Sequence, residues 1–190
     1  MKEKLWNLFQ SQNIGLEKDV FNYGYDILMQ YVSIGVVLLF VGVIFHCIDS
    51  LILVILLYLP FRKYIGGFHF ENKTLCCLFS ILFATYVSVL SQSVVLPFWI
   101  GFVLVFMLSF WNETFGCIDH PNKRISSSEK EFFREKMRKV LFLYFYLLIG
   151  VEQLSWNIVK NAMVLVMLFS LFNVSIGRWR MKRYDNNNLR

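Results

Sequence analysis

The sequence predicts an all-α, polytopic membrane bundle of about six spans, preceded by an N-terminal amphipathic interfacial helix. Three observations carry that expectation: the composition, the clustering of charge, and the length of the apolar runs. Hydrophobic residues make up 57% of the 190-residue chain and aromatic residues 18%, with a mean hydropathy of +0.53. Ordinary soluble domains are roughly 45–50% apolar. Charged residues are only 17% of the chain and gather between the apolar runs instead of lining amphipathic faces. Water is therefore expected at the helix ends and not along their length.

In chain order, residues 1–18 carry Lys2, Glu3 and Lys4, then Trp6, Leu8 and Phe9, with no continuous apolar core of a cleavable signal. Mixed charge and bulky apolar residues of this kind suit a helix lying in the membrane interface. Six apolar segments follow, at about 27–45, 47–60, 75–90, 94–110, 140–154 and 162–176. Several are shorter than the roughly 17–25 residues of a full span, so they need local thinning or residues borrowed from their flanks. One membrane domain is expected over residues 1–180. The last ten residues, 181–190, contain Asp185 and three asparagines and read as a polar cytoplasmic tail that frays.

Basic residues set the expected orientation. Lys2, Lys4 and Lys18 precede the first segment, Arg62, Lys63 and Lys73 follow the second, a run from Lys123 to Lys139 follows the fourth, and Arg178, Arg180, Lys182, Arg183 and Arg190 follow the sixth. The intervening connections hold only Lys160. Alternate loops are thus basic, which is expected to place both termini on the cytoplasmic side of the membrane. The net charge of +6 is explained by lipid and insertion, so no nucleic-acid partner is expected. Cys47, Cys76, Cys77 and Cys117 do not make a disulfide framework, because adjacent cysteines rarely bridge and no extracellular domain is evident.

Chemistry concentrates in residues 59–80, LPFRKYIGGFHFENKTLCCLFS. A nucleophilic thiol needs a base, since free cysteine near pKa 8.5 is only slightly ionised at neutral pH. His69 and Cys76 can form the pair. On one continuous helix, seven residues apart, they would stand about 10.5 Å apart along the axis, beyond hydrogen-bond reach. If instead a helix begins near Asn72 or Thr74, either of which is a good N-cap, Cys76 falls in its first turn and His69 in the preceding loop. Gly66 and Gly67 then supply the backbone freedom that folds the imidazole back, and the helix start favours a thiolate and a developing oxyanion.

This segment resembles the AgrB family, membrane cysteine endopeptidases of Gram-positive quorum sensing. The matching residues are Arg62, Lys63, Tyr64, Gly66, Gly67 and His69, with Cys76 seven positions after the histidine. A second match is Asp119, Pro121, Asn122 and Lys123 within GCIDHPNKRI. The resemblance implies that His69 and Cys76 are the catalytic pair and that Arg62 and Gly67 are needed for activity. Gly66, Asp119 and Lys123 are the further supporting or substrate-binding positions. It also implies a membrane-associated pro-peptide substrate, cleaved through an acyl thioester on Cys76 and released as a thiolactone or lactone macrocycle. Neither cofactor nor metal is called for. Cys77 departs from the pattern, and the spacing favours Cys76.

Other readings attach to the same residues. A buried cysteine is ordinarily an inert packing residue, and Arg62 and Lys63 are ordinary positive-inside residues. Gly66-Gly67 also fits the plain end of a helix, by its backbone freedom. Cys117, Asp119 and His120 with His69 and Cys76 offer enough ligands for zinc, but compact C-x-x-C spacing is absent. A small exporter of a peptide or solute is the alternative function, against which the spans hold few ionisable residues. A non-catalytic assembly or sensor subunit is a third. A homodimer is compatible with so small a polytopic protein, although no pattern demands it.

Overall fold

A computed structural model describes residues 2–11, 17–68, 72–118 and 125–188. Among them are seven α-helices: α1 (Lys2–Ser11), α2 (Lys18–Ile44), α3 (Ile48–Tyr64), α4 (Lys73–Ser93), α5 (Phe98–Phe115), α6 (Ser127–Gln153) and α7 (Asn157–Asn188). The all-helical, polytopic class expected from composition is what forms. Each of the six apolar segments lies within one of the long helices α2 to α7 or overlaps it closely. Four of these, α2, α4, α5 and α7, are long and apolar enough to cross a membrane. Helix α3 has 17 residues, and α6 opens with a charged stretch that includes Glu129, Lys130, Glu131 and Arg134.

The helices outrun the apolar segments. Helix α2 starts at Lys18 and takes in Asp19, Asn22 and Asp26 before the first apolar residues of its span. At the other end of the chain α7 continues through Asn188, so the tail expected to fray is helical over most of its length. Hydropathy marks where lipid lies, whereas helix hydrogen bonds propagate across a polar flank at little cost once a nucleus exists.

The chain divides into two compact units, 1–41 and 42–190. In the first, α1 lays Trp6 and Phe9 against Phe21 of α2, with ring centroids 5.2 and 5.6 Å apart. Lys2 Nζ reaches Asp26 Oδ1 at 2.9 Å. Further along, α2 exposes Val32, Val36, Val37, Leu39 and Phe40, the side chains expected to meet lipid.

In the second unit α7 packs against α3, α4, α5 and α6 and carries the most closely packed stretch, with Ala162, Met163, Val164, Val166 and Met167 all buried. Around it stand Phe61 of α3, Leu108 of α5, and Met137, Tyr144 and Leu148 of α6. Pro60 inside α3 cannot donate to the Leu56 carbonyl. One residue further, the Leu57 carbonyl accepts a hydrogen bond from the Tyr144 hydroxyl.

Polar clasps close both ends of this unit. At one end Asn161 Nδ2 donates to the Ser91 and Val94 carbonyls and its Oδ1 accepts from Leu96 N–H at 3.1 Å. Lys160, with a side chain only 7% exposed, pairs with Glu152 at 2.9 Å. At the other end Ile118 N–H donates to the Ile65 carbonyl at 2.9 Å, and Arg138 grips Glu113 with two hydrogen bonds of 3.0 Å. The second end gathers the basic residues of the α3, α6 and α7 termini, as the alternation of loop charge leads one to expect.

Candidate active site

Helix α4 begins where its sequence says it should. Asn72 is the N-cap, in extended conformation, and its Oδ1 accepts from Thr74 N–H at 2.9 Å. Cys76 N–H closes the first turn onto the Asn72 carbonyl at 3.1 Å. The thiol therefore stands in the first turn of a helix at the basic end of the unit. Cys76 and Cys77 are both half-buried. Cys47, by contrast, is at the start of α3, at the opposite end, and only 1% exposed.

The residues leading toward His69 are held from three sides. Arg62, in the last turn of α3, donates from Nη1 to the Phe68 carbonyl at 3.2 Å. Asn173 of α7, 7% exposed, accepts from Phe68 N–H through Oδ1 at 2.6 Å. The Ile65–Ile118 hydrogen bond ties the same turn to the end of α5. Both backbone polar groups of Phe68 are thus satisfied by side chains, and neither is left buried without a partner.

Glycine makes this approach feasible. Gly67 has φ of +149°, and a Cβ there would lie 2.7 Å from Asn173 Oδ1 and 3.2 Å from Arg62 Nη1. A Cβ on Gly177, one turn after Asn173, would come within 3.0 Å of Phe68 N and 3.1 Å of the Gly67 carbonyl carbon. Gly66 also has positive φ, +79°. Of the two glycines read from the sequence as backbone freedom, Gly67 lies against α7, where it meets Gly177, whereas Gly66 faces the Ile118 backbone beyond the end of α5.

Tyr58 joins the two sides. Its hydroxyl accepts from Asn173 Nδ2 at 2.9 Å. It also hydrogen-bonds with Arg62 and lies within electrostatic reach of the Cys76 thiol. The ring is wedged against Phe83 of α4 and Phe169 of α7, at centroid distances of 5.3 and 5.8 Å. Arg62, Gly66, Gly67 and Cys76 therefore belong to one end of the bundle, Arg62 in the last turn of α3, the two glycines in the turn that follows it and Cys76 in the first turn of α4. His69, Asp119 and Lys123 lie outside the described residues. Tyr58, Asn173 and Gly177 were missed by sequence reasoning. Their signal was an amide inside an apolar span with a glycine four residues later on the same face.

Fold and site together define a polytopic helical membrane protein with a thiol at a helix start and a glycine turn braced beside it. The Accessory gene regulator B (AgrB) family model matches residues 2–176, and the chain belongs to that family. Membership gives it a role in the accessory gene regulator system, a quorum-sensing system, within a family of peptide-processing proteins. Relatives include a "Putative AgrB-like protein" of Clostridium perfringens (strain SM101 / Type A), 24% identical over 163 residues that cover 80% of this chain and 76% of the relative. "Putative AgrB-like protein 2" of Clostridium perfringens (strain 13 / Type A) is 27% identical over 171 residues, 83% of this chain and 78% of the relative. No solved structure matches the chain.

Proposed function

We propose that the protein is a membrane-embedded cysteine endopeptidase that processes a quorum-sensing pro-peptide, with Cys76 as nucleophile and His69 as its base. The observation that carries the reading is the placement of Cys76 in the first turn of α4, four residues after the N-cap Asn72. Only three residues separate that cap from Phe68, which Arg62 and Asn173 hold in place. His69 is bonded directly to Phe68, one Cα step of about 3.8 Å away. A base bonded directly to so firmly held a residue suits general-base chemistry at the helix start.

His69 takes the thiol proton as Cys76 sulfur attacks the scissile carbonyl. The tetrahedral oxyanion develops at the start of α4, where the positive end of the helix dipole favours negative charge. Collapse expels the amine, which leaves with the proton held by His69, and an acyl thioester remains on Cys76. A thiol or hydroxyl within the same peptide then displaces Cys76, releasing a thiolactone or lactone ring and the free cysteine. A partly dehydrated interfacial site favours this internal attack over hydrolysis.

The basic end faces the cytoplasm in this reading, with both termini and the site on that side of a bacterial cell membrane. Arg62 is engaged by Phe68 and Tyr58, so capture of an acidic peptide segment falls to exposed cations such as Lys63 and to Lys123. Asp119 supports the site. Both loop positions rest on the family resemblance.

The test is processing of a co-expressed cognate pro-peptide. Cys76→Ala abolishes cleavage while the protein still reaches the membrane, Cys77→Ala retains most of it, and a hydroxylamine-sensitive adduct with the peptide maps to Cys76. Normal processing by Cys76→Ala refutes the proposal.

A further inference from the structure

Asn173 is a buried amide on a helix otherwise rich in apolar residues, where an unsatisfied amide is costly. Its two ends are used in different directions. Oδ1 accepts from Phe68 N–H at 2.6 Å, in the turn that leads to His69, and Nδ2 donates to Tyr58 at 2.9 Å, the residue within electrostatic reach of Cys76. Arg62 closes the ring by donating to the Phe68 carbonyl and bonding with Tyr58. Four groups from α3, α7 and the glycine turn therefore form one connected network. Gly67 and Gly177 are the two positions at which an added Cβ would push it apart.

We propose that Asn173, acting through Phe68 and Tyr58, is the positioning residue that holds the backbone at Phe68, one residue before His69, against α3 and α7. This rests on the cysteine-peptidase reading above. The role of Asn173 is geometric: it holds the backbone one residue before the base and ties that backbone to the helix pair that flanks the nucleophile. A shift of about 1 Å in such a group is worth up to roughly a hundredfold in rate. Tyr58 is the second positioning residue, because without its hydroxyl the Asn173 amide no longer links the turn to α3.

The experiment is alkylation of the full-length protein in native membranes by iodoacetamide, with labelling mapped to each cysteine. Cys77 is the internal reference for reagent access, and Cys47, 1% exposed, reports folding. In the unsubstituted protein Cys76 reacts faster than Cys77, and His69→Ala removes that preference. Asn173→Leu, of similar volume, lowers the Cys76-to-Cys77 ratio about tenfold or more toward the His69→Ala value while Cys47 stays protected. Tyr58→Phe keeps the ring packing and lowers the ratio in the same direction. Asn173→Asp keeps the acceptor for Phe68 N–H and retains part of the preference.

An unchanged ratio in folded Asn173→Leu overturns the inference and leaves the peptidase reading standing. If Asn173→Leu exposes Cys47, Tyr58→Phe and Asn173→Asp decide in its place, and unchanged ratios in both overturn it. If His69→Ala leaves the preference intact, the dyad fails and the positioning role falls with it.

Discussion

Gly67 shows how much of this site rests on one missing carbon. Its φ of +149° lies where L-residues rarely go, and a Cβ would stand 2.7 Å from Asn173 Oδ1. Gly67→Ala combines backbone strain of about 1–3 kcal/mol with displacement of the Asn173 and Arg62 contacts. We expect cleavage to fall at least tenfold and the melting temperature in detergent to drop. Gly150, inside α6 and with nothing within 4 Å of an added Cβ, is the matched control. Gly150→Ala removes unfolded-state freedom, worth up to about 1 kcal/mol, and raises the melting temperature with processing unchanged. Equal effects at the two positions would refute the contact argument. The sequence displays both glycines plainly. It conceals which one faces another helix, because that depends on Asn173, more than a hundred residues further along the chain.

Helix α4 owes its start to Asn72, and its first turn carries Cys76, the nucleophile proposed above. Loss of the cap by Asn72→Ala costs about 1 kcal/mol and frees Thr74 N–H, so hydrogen exchange accelerates in the first turn of α4 and processing slows. Asn72→Asp preserves the acceptor and restores both. Helix α6 offers the comparison. Its N-cap Ser126 and Glu129 form a reciprocal capping box, and Ser126→Ala costs a similar amount of stability while processing continues. If the two substitutions slow processing equally, the α4 cap has no special connection to the thiol. The α4 cap was legible in advance, since an N-cap is a local pattern of one side chain and the next two or three N–H groups. The extension of α2 and α7 past their apolar segments was not legible, because hydropathy reports the solvent around a helix and not where its hydrogen bonds stop.

For the molecule as a whole, the basic ends of α3, α6 and α7 and the start of α4 belong to one end of the second unit, and the clasp of Asn161 with Ser91, Val94 and Leu96 belongs to the other. A membrane-impermeant maleimide should therefore reach Cys76 or Cys77 in inside-out vesicles and neither in right-side-out vesicles. The reverse pattern would invert the orientation proposed and remove the site from the cytoplasm. The Lys160–Glu152 pair at the far end, with Lys160 almost wholly buried, is structural in this view. Replacing Lys160 with Met leaves labelling of Cys76 unchanged, since breaking the pair strands only the more exposed Glu152.

Composition and residue spacing were enough to establish a polytopic helical membrane protein and to expect a helix start near Asn72 that puts Cys76 in the first turn. Both follow from short-range physics, namely apolar length against bilayer thickness and a cap against its own N–H groups. Packing alone decided that Asn173 reaches Phe68 and Tyr58, partners 105 and 115 positions away in the chain, and that Gly67 and Gly177 open the space for it. A buried amide can be seen in a sequence, but its partners exist only once the helices have come together and excluded every alternative donor and acceptor.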